Sequence, residues 1–156
     1  MKQDSVRLLY ITRDEQMKTI FSDCKSAADS FYRVSKEIGN DDALQILYNL
    51  YPYVVNLSFA CELYLKAIKF HDDPSLKKVP GHKLNEIFDT LKGDEKRDLT
   101  ACFESNFSTP LNKFLAEDNR DFVVWRYAFE KEEVRANLSG LELFADVLHD
   151  YVKPLK

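Results

Sequence analysis

The stretch YVVNLSFACELYLKAIKF (residues 53–70) decides the fold, and the polar break HDDPSLKKVP (71–80) and the segment GHKLNEIFDTL (81–91) follow it. Residues 53–70 are apolar at most positions and contain a single acidic residue, Glu62. A helix that is apolar around most of its girth is usually the central one of a helical domain. The stretch therefore predicts a central helix that ends at the polar break, with another helix beginning near Gly81-His82.

The rest of the chain also shows helical spacing. Gly39 and Asn40 form a stop signal after the first pattern, and Asn40 or Asp41 can cap the next helix. Pro52 either kinks that helix or starts a second one. Residues 108–121 show no sustained period. The segments with apolar residues at helical spacing are 14–38, 94–106 and 137–152. We predict an all-α fold, an antiparallel bundle of about five helices.

The composition sets limits on the protein class. With 156 residues, of which 13% are aromatic, the chain predicts one domain (1–156) with its own core. The net charge of −4 gives no general attraction to nucleic acid, so any RNA contact needs a local basic patch. We find no signal peptide or membrane span and expect a soluble, cytoplasmic protein. Residues 1–12 could form a strand-like arm or the first turns of a helix.

The three cysteines and three histidines predict neither a metal site nor a cofactor. Cys24, Cys61 and Cys102 lie far apart in the sequence without a CxxC pair, so we expect reduced thiols that fill the core. His71 and His149 are isolated. The mononucleotide-loop and serine-hydrolase signatures GxGxxG, GxxxxGK[ST] and GxSxG are absent.

Glu62 and Lys66 are spaced four residues apart and can pair on one helix face. They could form a solvated stripe on an otherwise buried helix. Alternatively, Glu62 lies inside the bundle and pairs with a cation from another helix, for which Arg126 is the candidate. His82 is either a histidine that fixes the loop or one that lies at the edge of a ligand site. The main basic patch consists of Lys77 and Lys78, with Lys66, Lys69 and Lys83 nearby in the sequence.

The segment FVVWRYAFE (122–130) contains Trp125, Arg126 and Tyr127. We expect the guanidinium of Arg126 to pack between the two aromatic rings, because a flat cation stacks on rings and also binds carboxylate or phosphate with two hydrogen bonds. Paired with Glu62 or Glu130, Arg126 would be structural. If it were not paired in this way, it would bind phosphates.

The order of three motifs resembles the HEPN superfamily (higher eukaryotes and prokaryotes nucleotide-binding domains). These motifs are SFACELYLKAI, GHKLNEIFDTL and WRYAFE before a final helix, and the resemblance covers about residues 45–152. It implies a bundle of about five helices that is often dimeric. Members of the family are RNases of toxin–antitoxin and phage-defence systems, partners of small nucleotidyltransferases, or binding modules for ligands and proteins.

The catalytic motif of the ribonuclease members, RX4-6H, is an Arg and a His separated by four to six residues, and this chain departs from it. At those positions Arg126 is followed by Lys131, Glu132 and Glu133. Moving the 2′-OH proton of RNA requires a group with a pKa near neutrality, which His supplies most readily. The resemblance, transferred residue by residue, therefore predicts a protein without this nuclease chemistry.

We therefore expect a non-catalytic HEPN-like module that acts as a homodimer in prokaryotic stress or defence. It would bind a nucleotide, an RNA or a protein such as a nucleotidyltransferase or an antitoxin. The first alternative is a divergent metal-independent RNase that uses Arg126 with Glu130 or Glu133, and the second is a structural scaffold. The candidate ligand-binding residues are Glu62, Lys66, His82, Trp125, Arg126 and Tyr127.

Overall fold

The computed structural model describes residues 19–117, 122–130, 135 and 137–156, with Phe122 and Val123 described by their backbone alone. The described residues contain no strand, so the all-α prediction is confirmed. Glu133 and residues 1–12 lie outside them. The helices are α1 (Ile20–Gly39), α2 (Ala43–Tyr48), α3 (Leu50–Asp72), α4 (Leu84–Asp89), α5 (Gly93–Glu104), α6 (Leu111–Glu117), α7 (Phe122–Arg126) and α8 (Leu138–Val152), with a 3-10 turn at Ala128–Glu130.

The helix ends follow local sequence signals. Helix α1 stops at Gly39 with Asn40 as its C-cap, as the stop signal predicted. The cap of α2 is Asp42, whose carboxylate accepts hydrogen bonds from two early backbone N–H groups. The prediction of Asn40 or Asp41 was therefore wrong by one or two residues. Pro52 lies in the first turn of α3, where a missing N–H does not interrupt the helix, so it marks the start of a second helix.

The described residues form eight α-helices where about five were predicted. The four additional or shortened elements, α2, α4, α6 and α7, contain seven residues or fewer. Helix α6 lies in a region without a sustained apolar period, yet Leu111, Phe114 and Leu115 are buried. Three apolar positions in a helix of seven residues are too few to establish a helical period in the sequence.

Contacts between side chains fix the directions of the long helices. Helix α1 runs antiparallel to α3, because Phe21 contacts His71 near one end and Phe31 contacts Phe59 further along. Helix α8 runs in the direction of α3, since Tyr53 donates a hydrogen bond to Glu142 while the ring of Tyr64 packs against His149, at larger residue numbers in both helices. Helix α5 runs antiparallel to α8, because Phe103 near its end contacts Phe144, while Glu95 near its start lies close to Tyr151. No described helix is long and apolar enough to cross a membrane.

Helix α3 is the centre of the core, and it packs against α1, α4, α7 and α8. A second part of the core is an aromatic cluster formed by Phe103, Phe107, Phe114 and Phe144, whose neighbouring ring centroids are 5.2–6.3 Å apart. Gly140 lets α8 approach this cluster, because a Cβ at that position would come within 2.6 Å of the Phe114 ring. The packing of α1, α4, α7 and α8 around α3 buries residues along most of its length, from Tyr53 to Phe70.

The three cysteines are free thiols in different environments. Cys61 is buried, and Cys24 is partly buried with its Sγ 3.2 Å from the Leu63 carbonyl oxygen. Burial raises the pKa of Cys24 to about 11, so this thiol stays protonated at neutral pH. Cys102 is exposed on α5, and its prediction as a core-filling residue was therefore wrong.

Candidate functional site

Glu62 lies in the middle of α3 and is only 2% exposed. Its Oε1 atom accepts a hydrogen bond from Lys66 Nζ at 2.7 Å, one helical turn later. The Lys66 side chain is itself 13% exposed, so this is a largely buried ion pair and not the solvated stripe that was one of the two predicted alternatives. The other oxygen, Oε2, is also buried and has no hydrogen-bond partner among the described residues.

His82 approaches the same carboxylate from the loop that joins α3 to α4. Its Nδ1 atom is 3.0 Å from Glu62 Oε1, while the side chain is 60% exposed. Gly81 makes this approach possible, since its φ of 88° is a conformation that residues with a Cβ rarely adopt. An ionised carboxylate only accepts hydrogen bonds, so the proton in this contact is on Nδ1. We call Glu62, Lys66 and His82 the Glu62 cluster.

The Glu62 cluster combines a buried anion with two cationic or potentially cationic groups. One carboxylate charge offsets the charge of Lys66, and the hydrogen bond fixes the orientation of the imidazole. A carboxylate that orients a histidine occurs in acid–base catalysis and in metal sites, and an oriented imidazole also donates well to phosphate. The described residues contain no group of three or more His, Cys, Asp or Glu side chains that could hold a metal ion.

An apolar recess of about 390 Å³ lies beside the loop that carries His82. Leu76, Val79, Pro80 and Ile87 contribute its apolar walls, and Lys69 and Lys78 also line it. Lys69 Nζ donates to the Thr90 carbonyl oxygen at 2.8 Å, which ties α3 to the end of α4. The predicted basic patch therefore borders a concave surface, a feature that the sequence pattern did not indicate.

Arg126 lies elsewhere on the molecule. Together with Tyr51 and Val55 it lines a second recess of about 400 Å³, next to the first turns of α3. Glu62 is about two to three helical turns further along α3. The hydrogen bonds that the structure describes for Glu62 go to Lys66 and His82. The predicted pairing of Glu62 with Arg126 was therefore wrong.

The aromatic segment around Arg126 also differs from the prediction. The guanidinium carbon is 5.2 Å from the centre of the Tyr127 ring, and its Nη2 donates to the Tyr127 hydroxyl at 3.0 Å. Trp125 is instead buried, with its ring edge against Tyr51 at 6.2 Å. The described cation–ring contact of Arg126 is therefore with one ring, and the expected position between two rings is not observed. Glu130 ends the 3-10 turn and is exposed.

Helix α2 and the Arg126 recess both expose large apolar side chains. Helix α2 has no buried residue, although Leu44, Leu47 and Tyr48 recur at helical spacing. Their side chains are 62–77% exposed, and Phe129 at the recess is 73% exposed. We define the apolar surface as the exposed side chains of Leu44, Leu47, Tyr48, Tyr51, Tyr127 and Phe129.

The structure thus separates the six predicted site residues into two places. The Glu62 cluster contains three of them, and the Arg126 recess is near Trp125, Arg126 and Tyr127. The contact between Glu62 and His82 could not be predicted from spacing, because it depends on the path of the loop. A comparison of the chain with protein-family models, curated proteins and solved structures found no match in any of the three.

Proposed function

We propose that the protein is a non-catalytic, HEPN-like binding module that binds a phosphate-bearing ligand, a nucleotide or an RNA, beside the Glu62 cluster. The observation that carries this proposal is an exposed imidazole oriented by a buried carboxylate. The setting that the resemblance implies is prokaryotic stress or defence in the cytoplasm.

The surroundings of His82 support an anionic ligand. Lys78 is exposed and lines the neighbouring recess, and Lys83 follows His82 directly. Phosphate oxygens accept hydrogen bonds from both ammonium and imidazole donors. The apolar walls of the recess suit a base or another flat group, while Glu62 lies behind His82 and is shielded from the ligand by burial and by Lys66.

We expect calorimetric titration with ATP and with a short single-stranded RNA to detect binding by at least one of them. His82→Ala should weaken that binding about tenfold or more, because a hydrogen bond to a charged group contributes about 1.5–3 kcal/mol. Lys113→Ala is the control, since it removes an exposed lysine on α6 that lies outside the cluster and the recess. Equal affinities for His82→Ala and Lys113→Ala, or no binding of either ligand, would contradict the proposed site.

Substitutions of His82 and of Arg126 separate binding from catalysis. On labelled total RNA the protein should cut no more than a mock preparation, because the Arg-His ribonuclease motif is absent. Cleavage that is lost in Arg126→Ala would instead support the divergent RNase that uses Arg126 with Glu130 or Glu133. Cleavage that is lost in His82→Ala would assign the acid–base role to the Glu62 cluster.

A second function is favoured by the apolar surface, which we propose joins two copies of the chain. Tyr, Phe and Arg are enriched in protein interfaces, and all three occur here. Around a two-fold axis, the exposed apolar side chains of α2 in each copy can pack into the Arg126 recess of the other. The charges match as well, because Asp41 and Asp42 lie at the start of α2 and Arg126 lies at the recess.

Analytical ultracentrifugation should therefore show a dimer that Leu47→Glu converts to a monomer. The charge would have to be buried in the interface, which is costly. Lys113→Glu places the same side chain at an exposed position of α6 and should remain dimeric. A wild-type protein that stays monomeric at high concentration would contradict the homodimer. That result would favour another protein on this surface, such as a nucleotidyltransferase or an antitoxin, or the structural scaffold.

A further inference from the structure

Two acidic side chains meet where the end of α3 approaches the start of α5. Asp72 is the last residue of α3, and its side chain is 10% exposed. Glu95 lies in the first turn of α5 and is 6% exposed. Lys92 contacts both of them, because its backbone N–H donates to Glu95 Oε2 at 2.9 Å and its Nζ is 2.8 Å from Asp72 Oδ1. The two largely buried carboxyl groups therefore share Lys92 as a partner.

The remaining oxygen of Asp72 shows how the two groups interact. Asp72 Oδ2 is buried, and no donor among the described residues reaches it. Asp72 also acts on Glu95, because its charge and a side-chain interaction with it both raise the pKa of Glu95. Two ionised carboxylates only accept hydrogen bonds, whereas a protonated Glu95 would supply the donor that the buried Asp72 Oδ2 lacks.

We propose that Glu95 is protonated in a buried carboxyl–carboxylate pair with Asp72, and that losing this proton as the pH rises loosens the junction between α3 and α5. Asp72 is followed directly by the loop 73–83, which carries His82, so this loop should loosen with the junction. The inference does not depend on the ligand proposed for the Glu62 cluster.

Some of the groups around the pair raise the pKa of Glu95 and others lower it. Burial raises the pKa of Glu95 above its ordinary value; the Lys92 N–H opposes this, and Asp72 raises the pKa further. The Lys92 ammonium stabilises the ionised form of Glu95. Asp94 on α5 lies near this ammonium. From α8, the Tyr151 hydroxyl faces the same acidic region, where burial, then Glu95, Asp98, Asp94 and Asp72, raise its pKa.

The sign of the pH effect follows from the raised pKa of Glu95. The folded protein binds this proton more tightly than the unfolded chain does. The stabilisation is therefore complete below the ordinary pKa of 4.5, and it is lost as the pH rises through the higher pKa of the folded state. The ammonium of Lys92 stays close to the ionised pair, so the junction loosens but does not unfold.

Glu95→Gln tests the proposal, because a glutamine copies the protonated side chain. Its oxygen can accept from the Lys92 N–H, and its NH₂ can donate to Asp72 Oδ2. Thermal melting at a series of pH values from 4.5 to 9 should show Glu95→Gln gaining about 2–4 °C over the wild type as the pH rises, the shift expected for about 1 kcal/mol in a chain of this length. Asp94→Asn, one residue earlier and exposed, removes the same charge and should show no such gain.

Two measurements on the wild-type protein keep the test independent of how the variant folds. The carboxyl carbon of Glu95, followed by NMR, should titrate above pH 4.5. Amide hydrogen exchange in residues 73–83 at pH 8 should be faster in the wild type than in Glu95→Gln. A titration at or below the ordinary pKa, or a melting difference that does not change with pH, would overturn the proposal. Equal exchange rates in the wild type and in Glu95→Gln would show that the pair does not control the loop that carries His82.

Discussion

Glu62→Ala is expected to lower the free energy of unfolding by about 3–5 kcal/mol, the usual cost of removing one partner from a buried ion pair. Lys66 would be left as a largely buried cation without its carboxylate, and His82 would lose its hydrogen bond to α3. The missing side chain would also leave a space inside the core. Urea denaturation followed by circular dichroism measures the loss.

The matched control is Glu86→Ala on α4. Glu86 also pairs with a lysine, Lys83, at 3.1 Å, but both side chains are more than half exposed. Surface pairs contribute about 0–1 kcal/mol, so this substitution should be nearly neutral. If Glu62→Ala lowers the free energy of unfolding no more than Glu86→Ala does, then the buried pair of Glu62 and Lys66 does not stabilise the fold. Trypsin should also cut sooner after Lys77 or Lys78 in Glu62→Ala, because the loop is no longer fixed by His82.

Phe144→Ala should lower the free energy of unfolding by a similar amount, about 3–5 kcal/mol, because it opens a cavity in the aromatic cluster. Phe144 is fully buried on α8, and its ring centre is 6.1 Å from those of Phe103 and Phe114. These three rings come from three different helices, so the gap cannot close without moving a helix. Urea denaturation again gives the magnitude.

Phe129→Ala supplies the comparison for this substitution. It removes the same side chain from a position that is 73% exposed, where substitutions usually change stability by no more than about 0.5 kcal/mol. Equal losses for Phe144→Ala and Phe129→Ala would mean that the cluster does not stabilise the fold. The same Phe129 variant would be expected to weaken self-association, which separates the roles of the two residues.

The end of α1 and the starts of α3 and α8 could be predicted because they depend on a few adjacent residues, whereas α1 was expected from residue 14 and begins at Ile20. Gly39 with Asn40 ended α1, Pro52 lay in the first turn of α3, and Asn137 capped α8. These signals act through local hydrogen bonds and allowed backbone angles. The short helices were harder to predict, since their stability comes from packing against the core rather than from a long apolar period.

The candidate site shows the same division between local and non-local information. The spacing of Glu62 and Lys66 predicted their pairing, because residues four apart meet on one helix face. It did not decide whether the pair is buried, since α3 is apolar on most sides and gives no clear outward face. The partner choice between His82 and Arg126 depended on where distant segments cross α3, which no local pattern encodes.

The order of the helices along the chain has a consequence for its synthesis. Helix α3 is buried partly by α8, which is made much later. Until α8 leaves the ribosome, the apolar side of α3 that it covers remains open to water and to other nascent chains. Helix α1 precedes α3 and can cover it on another side at once. We therefore expect the newly made chain to be most prone to aggregation between the completion of α3 and the completion of α8.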